Sequence, residues 1–168
     1  GEEILQEKKA DMIGYGRSLL TDPDIAHKVE TKEPIRTCLN CNKGCVDAIQ
    51  NRRYISCILN AENGDEATIS IRPKEGEKKV VVIGAGIAGL EAARVAAKRG
   101  YQVTIYDAAQ KIGGQILLAA VPPRKSEILR AVEYYEKILP RLGVTICLEQ
   151  TCSIEKINQA DQVIVAVG

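Results

Sequence analysis

At 168 residues the chain suffices for one good-sized domain, or one domain with a small appendage, and its 23 basic residues nearly balance 22 acidic ones. No basic stripe or aromatic ladder points to nucleic acid, and no apolar stretch approaches the length of a membrane span. Nothing in Gly1-Glu2-Glu3-Ile4 resembles a secretory leader, so a soluble cytoplasmic setting is expected. Phe and Trp are absent. The core must therefore use Val, Ile, Leu and Ala, which suits a parallel sheet covered by helices on both faces.

In chain order, residues 2–9 have helical patterning, and Asp11-Met12-Ile13-Gly14 reads as a short buried strand. Asp22-Pro23 supplies a helix start, with Asp22 as N-cap and Pro23 at the first helical position, where its missing N–H costs nothing. A lone strand between helices cannot satisfy its backbone or bury both faces, so the chain is expected to begin inside a larger structure. Residues 32–76 are rich in Asn, Gly and charge and lack sustained periodicity, as loops stapled by a metal site do. Their tail, 71–77, reads as an irregular connector. Beyond it come a strand at 80–83, a helix at 87–99 stopped by Gly100, and a strand at 102–106. A long helix capped by Ser126 should end before Gly143, with further strands at 144–148 and 163–167. This alternation implies an α/β fold with a Rossmann-like, doubly wound parallel sheet.

Four cysteines crowd the first third of the chain: Cys38, Cys41, Cys45 and Cys57, separated by two, three and eleven residues. With no secretory context, metal ligation is a better reading than disulfides. Three close thiolates and a distant fourth match the ligation of a [4Fe–4S] cluster. A four-thiolate zinc site is the competing reading, although zinc sites usually pair their ligands as two C-x-x-C knuckles.

Residues 80–83 run directly into Gly84-Ala85-Gly86-Ile87-Ala88-Gly89, a G-x-G-x-x-G turn between a strand and a helix. Gly84 permits the tight turn, Gly86 lets backbone approach a pyrophosphate, and Gly89 lets helix and strand pack closely. The helix N-terminus offers its N–H groups to the anion. Asp107 ends the next strand, where it can accept hydrogen bonds from ribose hydroxyls and repel a 2′-phosphate. The fingerprint does not choose between FAD and NAD. Gly113-Gly114-Gln115, and a final strand ending in Gly168, lean towards the longer FAD.

The remaining candidates have plainer readings. Cys147 and Cys152 read as small buried or half-buried apolar residues. His27, the only histidine, reads as a helix-surface or satisfied histidine. Arg52-Arg53 reads as a solvated face, and Tyr134-Tyr135 as helix packing. There is no Ser/His/Asp or paired-carboxylate constellation.

Taken in order, these segments resemble the multidomain flavin oxidoreductases of the 2,4-dienoyl-CoA reductase, 2-enoate reductase and trimethylamine dehydrogenase type. The stretch from Asp11 to Pro23 resembles the last strand and helix of their TIM-barrel FMN domain, Cys38 to Cys57 their cluster pattern, and Gly84 to Gln115 their FAD- or ADP-binding domain. The resemblance implies three segments: a barrel tail at 1–33, a cluster-binding segment and linker at 34–76, and a nucleotide-binding domain at 77–168. It implies that Gly16 and Arg17 contact FMN phosphate, and that Cys38, Cys41, Cys45 and Cys57 hold the cluster. Gly84, Gly86, Gly89, Asp107, Gly114 and Gln115 would line the dinucleotide site, with Gly168 near the flavin end. Electrons would pass from NAD(P)H to FAD, through the cluster to FMN, and on to an activated C=C bond of a small-molecule substrate. The chain would then be a fragment, inactive alone. Its partners would be barrel and NAD(P)H domains of the same polypeptide, and a second copy in a homo-oligomer. A non-redox ADP-binding module, or a zinc-stapled interaction domain, are the alternatives.

Overall fold

A computed structural model describes residues 1–73 and 76–168; Lys74 and Glu75, inside the expected connector, lie outside the described residues. The chain forms two compact units, Gly1–Gly64 and Asp65–Gly168. Among the described residues no helix is long and apolar enough to cross a membrane.

The second unit is built on four parallel strands, β1 (Lys79–Ile83), β2 (Gln102–Tyr106), β3 (Thr145–Cys147) and β4 (Gln162–Val165), in the order β3-β2-β1-β4. The helices of the first unit are α1 (Glu2–Gln6), α2 (Arg17–Thr21), α3 (Ile25–Thr31) and α4 (Val46–Gln50). The second holds α5 (Ile87–Lys98), α6 (Gln115–Ala119), α7 (Arg130–Arg141) and α8 (Ile154–Asn158). Val80 and Val82 of β1 and Val103 and Ile105 of β2 point to one face, where they pack against Leu90 and Ala93 of α5 and Tyr135 and Leu139 of α7. Burying this layer is the main stabilisation of the unit, since each large apolar side chain contributes about 1.5–3 kcal/mol. The opposite face is less covered than the composition implied. Thr104 and Tyr106 are half-buried there, and a groove along it is bounded by Lys156, Gln159 and Ala160 at α8. The short α8 supplies little apolar cover: Lys156 lies over the Tyr106 ring, 4.3 Å from its centre.

Strand and helix positions follow the sequence pattern closely, and the caps do not. Gly100 stops α5 with a left-handed φ of 95°. Ser126, expected as an N-cap, instead opens a 3₁₀ turn over Ser126–Leu129 that leads into α7, and its hydroxyl caps nothing. Ser153 does cap α8, accepting from the Lys156 N–H at 3.4 Å. The tyrosine pair packs edge to face at 5.4 Å inside the core.

In the first unit the strand expected at 11–14 does not form; Met12 is 83 % exposed. Extended backbone needs a neighbour for its ladder bonds, and none of the described residues supplies one. Asp22 is not the cap of α3, which starts at Ile25 behind Asp24. It is buried instead, 3 % exposed, and its carboxylate accepts from Lys28 Nζ at 2.7 and 2.8 Å and from the Arg36 N–H at 2.8 Å. That buried ion pair ties α2, α3 and the approach to Cys38 together. Apart from Pro34 and Ala48, the buried residues of this unit are polar: Thr21, Asp22 and Asn60.

Arg94 of α5, 3 % exposed, makes a bidentate pair with Glu91 at 2.7 Å for both bonds, and Tyr135 donates to the same carboxylate at 3.0 Å. Burial opposes the Arg94 charge, but the Glu91 hydrogen bonds and charge outweigh it and hold the guanidinium above its ordinary pKa. Glu91→Ala leaves that cation buried without its carboxylate and should cost about 3 kcal/mol in urea unfolding. Combining Glu91→Leu with Arg94→Met should recover most of the loss, because no charge then remains inside.

Candidate functional site

Two sites emerge, one in each unit. In the second, β1 leads to β2 and β3 on one side, and the chain then returns to β4 on the other side of β1. Ligands of open α/β sheets bind in the crevice at such a reversal, beyond the carboxyl ends of the strands. A cleft of about 670 Å³ opens there, lined by Gly84, Gly86, Asp107, Gly114, Gln115 and Gly168 among others. Its size falls within the range of about 300–1,000 Å³ typical of small-molecule sites.

Its walls are fixed by backbone contacts. A Cβ on Gly89 would lie 1.9 Å from the Gly84 carbonyl oxygen, and one on Gly84 would lie 2.5 Å from that of Ala166. Helix α5, the turn and the end of β4 therefore approach closer than any side chain allows. Gly86 differs: nothing lies within 4 Å of its would-be Cβ, so the space beside it is open for a ligand. Asp107 holds the turn from the side, accepting from Ala85 N–H at 2.5 Å and Ala109 N–H at 2.7 Å, one on each oxygen. Each oxygen keeps a lone pair for a hydroxyl donor. Gly113 donates to the Ala85 carbonyl at 2.8 Å, so the second glycine pair sits against the first glycine turn. Gly89 packs behind the turn rather than at the cleft wall.

In the first unit Cys38, Cys41, Cys45 and Cys57 line one cavity, with Arg17, Thr21 and Asn42. Asn40 and Asn42, each beside Cys41, have left-handed φ of 56° and 60°. Asn tolerates that conformation, and it lets the chain fold back between successive cysteines. Cys57 arrives by a separate crossing. Ser56 N–H donates to the Gly44 carbonyl at 2.7 Å, and a Cβ on Gly44 would stand 2.5 Å from the Ser56 carbonyl oxygen. Asn60 then anchors the segment, donating from Nδ2 to the Leu20 carbonyl at 2.9 Å. The sulfurs have polar neighbours: Asn40 N–H donates to Cys38 Sγ at 3.4 Å, and Thr21 Oγ1 lies 3.5 Å from Cys57 Sγ. None of the cysteines is in a disulfide. Among the described residues no group of three or more His, Cys, Asp or Glu is drawn together tightly enough to hold a metal ion.

Arg17 and Gly16 begin α2. Arg17 donates to Asn42 Oδ1 at the rim of the cysteine cavity, and Gly16 faces open space. His27 is exposed on α3, and Cys147 and Cys152 are half-buried in the other unit. Sequence reasoning did not single out Gly44, Thr21 or Asn60. Only the glycine directly before Cys45 hinted at a close crossing, and the other two gave no signal.

Residues 82–134 match the model of the NAD(P)-binding Rossmann-like domain family. Among curated proteins, the chain is 48 % identical to bilirubin reductase of Mediterraneibacter gnavus, over 99 % of its own length and 27 % of that protein's. It is 41 % identical to cinnamate reductase of Clostridium sporogenes, over 95 % and 25 % of the two lengths. Among solved structures, 2-naphthoyl-CoA reductase in complex with 2-naphthoyl-CoA aligns with a TM-score of 0.94 at 31 % identity, over 99 % of this chain and 26 % of that one. The chain is homologous to a portion of these multidomain reductases. It spans about a quarter of the length of those relatives. The family is enzymatic: a relative from Thermoanaerobacter brockii, 38 % identical over 99 % of this chain and 27 % of its own length, is an NADH oxidase.

The two fingerprint glycines should respond oppositely to a methyl group. Gly89→Ala should lower unfolding stability by about 3 kcal/mol or more, because the backbone itself must move. Gly86→Ala, which meets no neighbour and loses only a favourable N-cap residue, should cost about 1 kcal/mol or less in the same denaturation.

Proposed function

We propose that the chain is the nucleotide-binding and electron-relay portion of a flavin-dependent oxidoreductase. FAD would occupy the glycine cleft and a [4Fe–4S] cluster the four cysteines. In the complete enzyme electrons would run from NAD(P)H to FAD, through the cluster to FMN, and then to an activated C=C bond of a small-molecule substrate. The observation that carries this reading is the convergence of Cys57 with Cys38, Cys41 and Cys45 on one cavity, across eleven intervening residues.

The donor set fits such a cluster. Four thiolates, three close in sequence and one distant, can each take a separate iron of a polynuclear group. The scarcity of apolar core around the cysteines also favours a bound group, since small segments of this kind gain their folding energy from a metal or other staple. When bound, the flavin would accept a hydride and the cluster would carry the electrons singly.

The remaining work belongs to the chain's own residues. The N–H groups opening α5 would face the pyrophosphate, which Gly86 lets approach. Asp107 would accept from ribose hydroxyls while keeping the turn in shape, and its charge disfavours a 2′-phosphate. Gly114, Gln115 and Gly168 would border the cofactor towards its flavin end. Gly16 and Arg17 are proposed contacts for FMN phosphate, beside the open space over Gly16. Reduction of an activated double bond is supported by relatives named for cinnamate and bilirubin. The barrel and NAD(P)H-binding parts would be supplied by the rest of a longer polypeptide.

Anaerobic reconstitution with iron, sulfide and FAD tests this directly. About four irons per chain, a broad absorbance bleached by dithionite, and flavin bands that weaken in Gly86→Ala are the expected results. Stoichiometric zinc with no iron uptake would overturn the cluster, and colourless protein that binds ADP but not FAD would overturn the flavin.

A further inference from the structure

Thr21 is the last residue of α2 and only 1 % exposed, yet its side chain is polar. Its Oγ1 lies 3.0 Å from the Arg17 carbonyl oxygen and 3.5 Å from Cys57 Sγ. A hydroxyl has one proton to donate and two lone pairs. Opposite a thiol, both contacts can be satisfied at once: the hydroxyl donates to the Arg17 carbonyl, and the S–H donates to the hydroxyl. A sulfur bound to metal has no proton. The sulfur contact then survives only if Thr21 turns its one proton from the Arg17 carbonyl to the sulfur.

The hydroxyl is held in place for that task. On one side, Asp22 is pinned by Lys28 and the Arg36 N–H. On the other, Asn60, three residues beyond Cys57, donates to the carbonyl of Leu20 next to Thr21. These bonds clamp the end of α2 against the Cys57 segment, and the burial of Thr21 leaves its hydroxyl no water to turn to. Cys38 receives its hydrogen bond from backbone, at Asn40. At Cys57 the neighbouring polar group is a side chain, so the sequence can adjust it.

We propose that Thr21 donates a hydrogen bond to the ligating sulfur of Cys57 and thereby raises the reduction potential of the bound cluster. This rests on the cluster reading given above. Reduction adds one negative charge to the cluster, and a donor on a ligand sulfur stabilises that extra charge more than the oxidised state. Thr21 is a positioning and tuning residue; it holds no iron.

The test uses the full chain, loaded anaerobically with iron and sulfide and titrated with dithionite at controlled potential. Thr21→Val keeps the volume and removes the donor. At full iron content it should lower the equilibrium constant for one-electron reduction about tenfold, which corresponds to a shift of about 59 mV to more negative potential. Thr21→Ser restores the hydroxyl and should restore the parent potential. Should Thr21→Val not fold, Thr21→Ser and Thr21→Ala form the equivalent pair, since both lack the methyl and only one keeps the hydroxyl. Equal potentials in a hydroxyl-bearing and a hydroxyl-free variant, each with its iron complete, would overturn the inference and leave the cluster reading intact. A parent chain that takes up no iron would overturn both.

Discussion

Both candidate sites exist because two stretches of backbone approach closer than a side chain permits. At Gly89 and Gly84 the contact is between helix α5, the turn behind β1 and the end of β4; at Gly44 it is between the Cys45 turn and the Ser56 backbone. In each case a methyl group would push the stretches apart, by about half an ångström at Gly84 and Gly44 and more at Gly89, and open the site. The nucleotide cleft owes its wall to the first approach. The second lets a cysteine eleven residues away join three close neighbours.

The two units are stabilised by different means. The sheet unit buries a continuous apolar layer between β1, β2, α5 and α7, and its single charged intrusion, Arg94, is matched by Glu91 and Tyr135. The cysteine unit has no comparable layer. Its buried residues are mainly hydrogen-bonded polar groups, centred on Asp22 with Lys28 and on Asn60 with the Leu20 carbonyl. Such bonds specify geometry well but contribute only about 0.5–1.5 kcal/mol each, somewhat more where a charge takes part. A unit of this construction is suited to being completed by a bound group.

Several side chains serve the fold and the site together. Asp107 braces the glycine turn through two backbone N–H groups while facing the cleft. Thr21 closes a helix with the same hydroxyl that meets Cys57. Sharing of this kind makes the local shape of the empty and loaded sites similar, which lowers the cost of binding.

The sheet and the glycine cleft were legible in the chain because their signals are local. Runs such as Val80-Val81-Val82-Ile83, the spacing of Gly84, Gly86 and Gly89, and Asp107 at the end of the next strand each depend on a few adjacent residues. Local signals also misled where a tertiary partner was missing or dominant. Residues 11–14 had a strand pattern but no neighbour to pair with, and Asp22 looked like a cap but was drawn into a buried ion pair with Lys28. By itself the sequence determined the alternation of strands and helices and the identity of the thiol and carboxylate groups, since periodicity and side-chain chemistry are written residue by residue. Tertiary structure alone decided that Gly113-Gly114 would lie against the first glycine turn and that Thr21 would meet the sulfur of Cys57. Those outcomes depend on where distant backbone segments cross, and crossing distance is set by packing and buried hydrogen bonds rather than by any neighbouring residue.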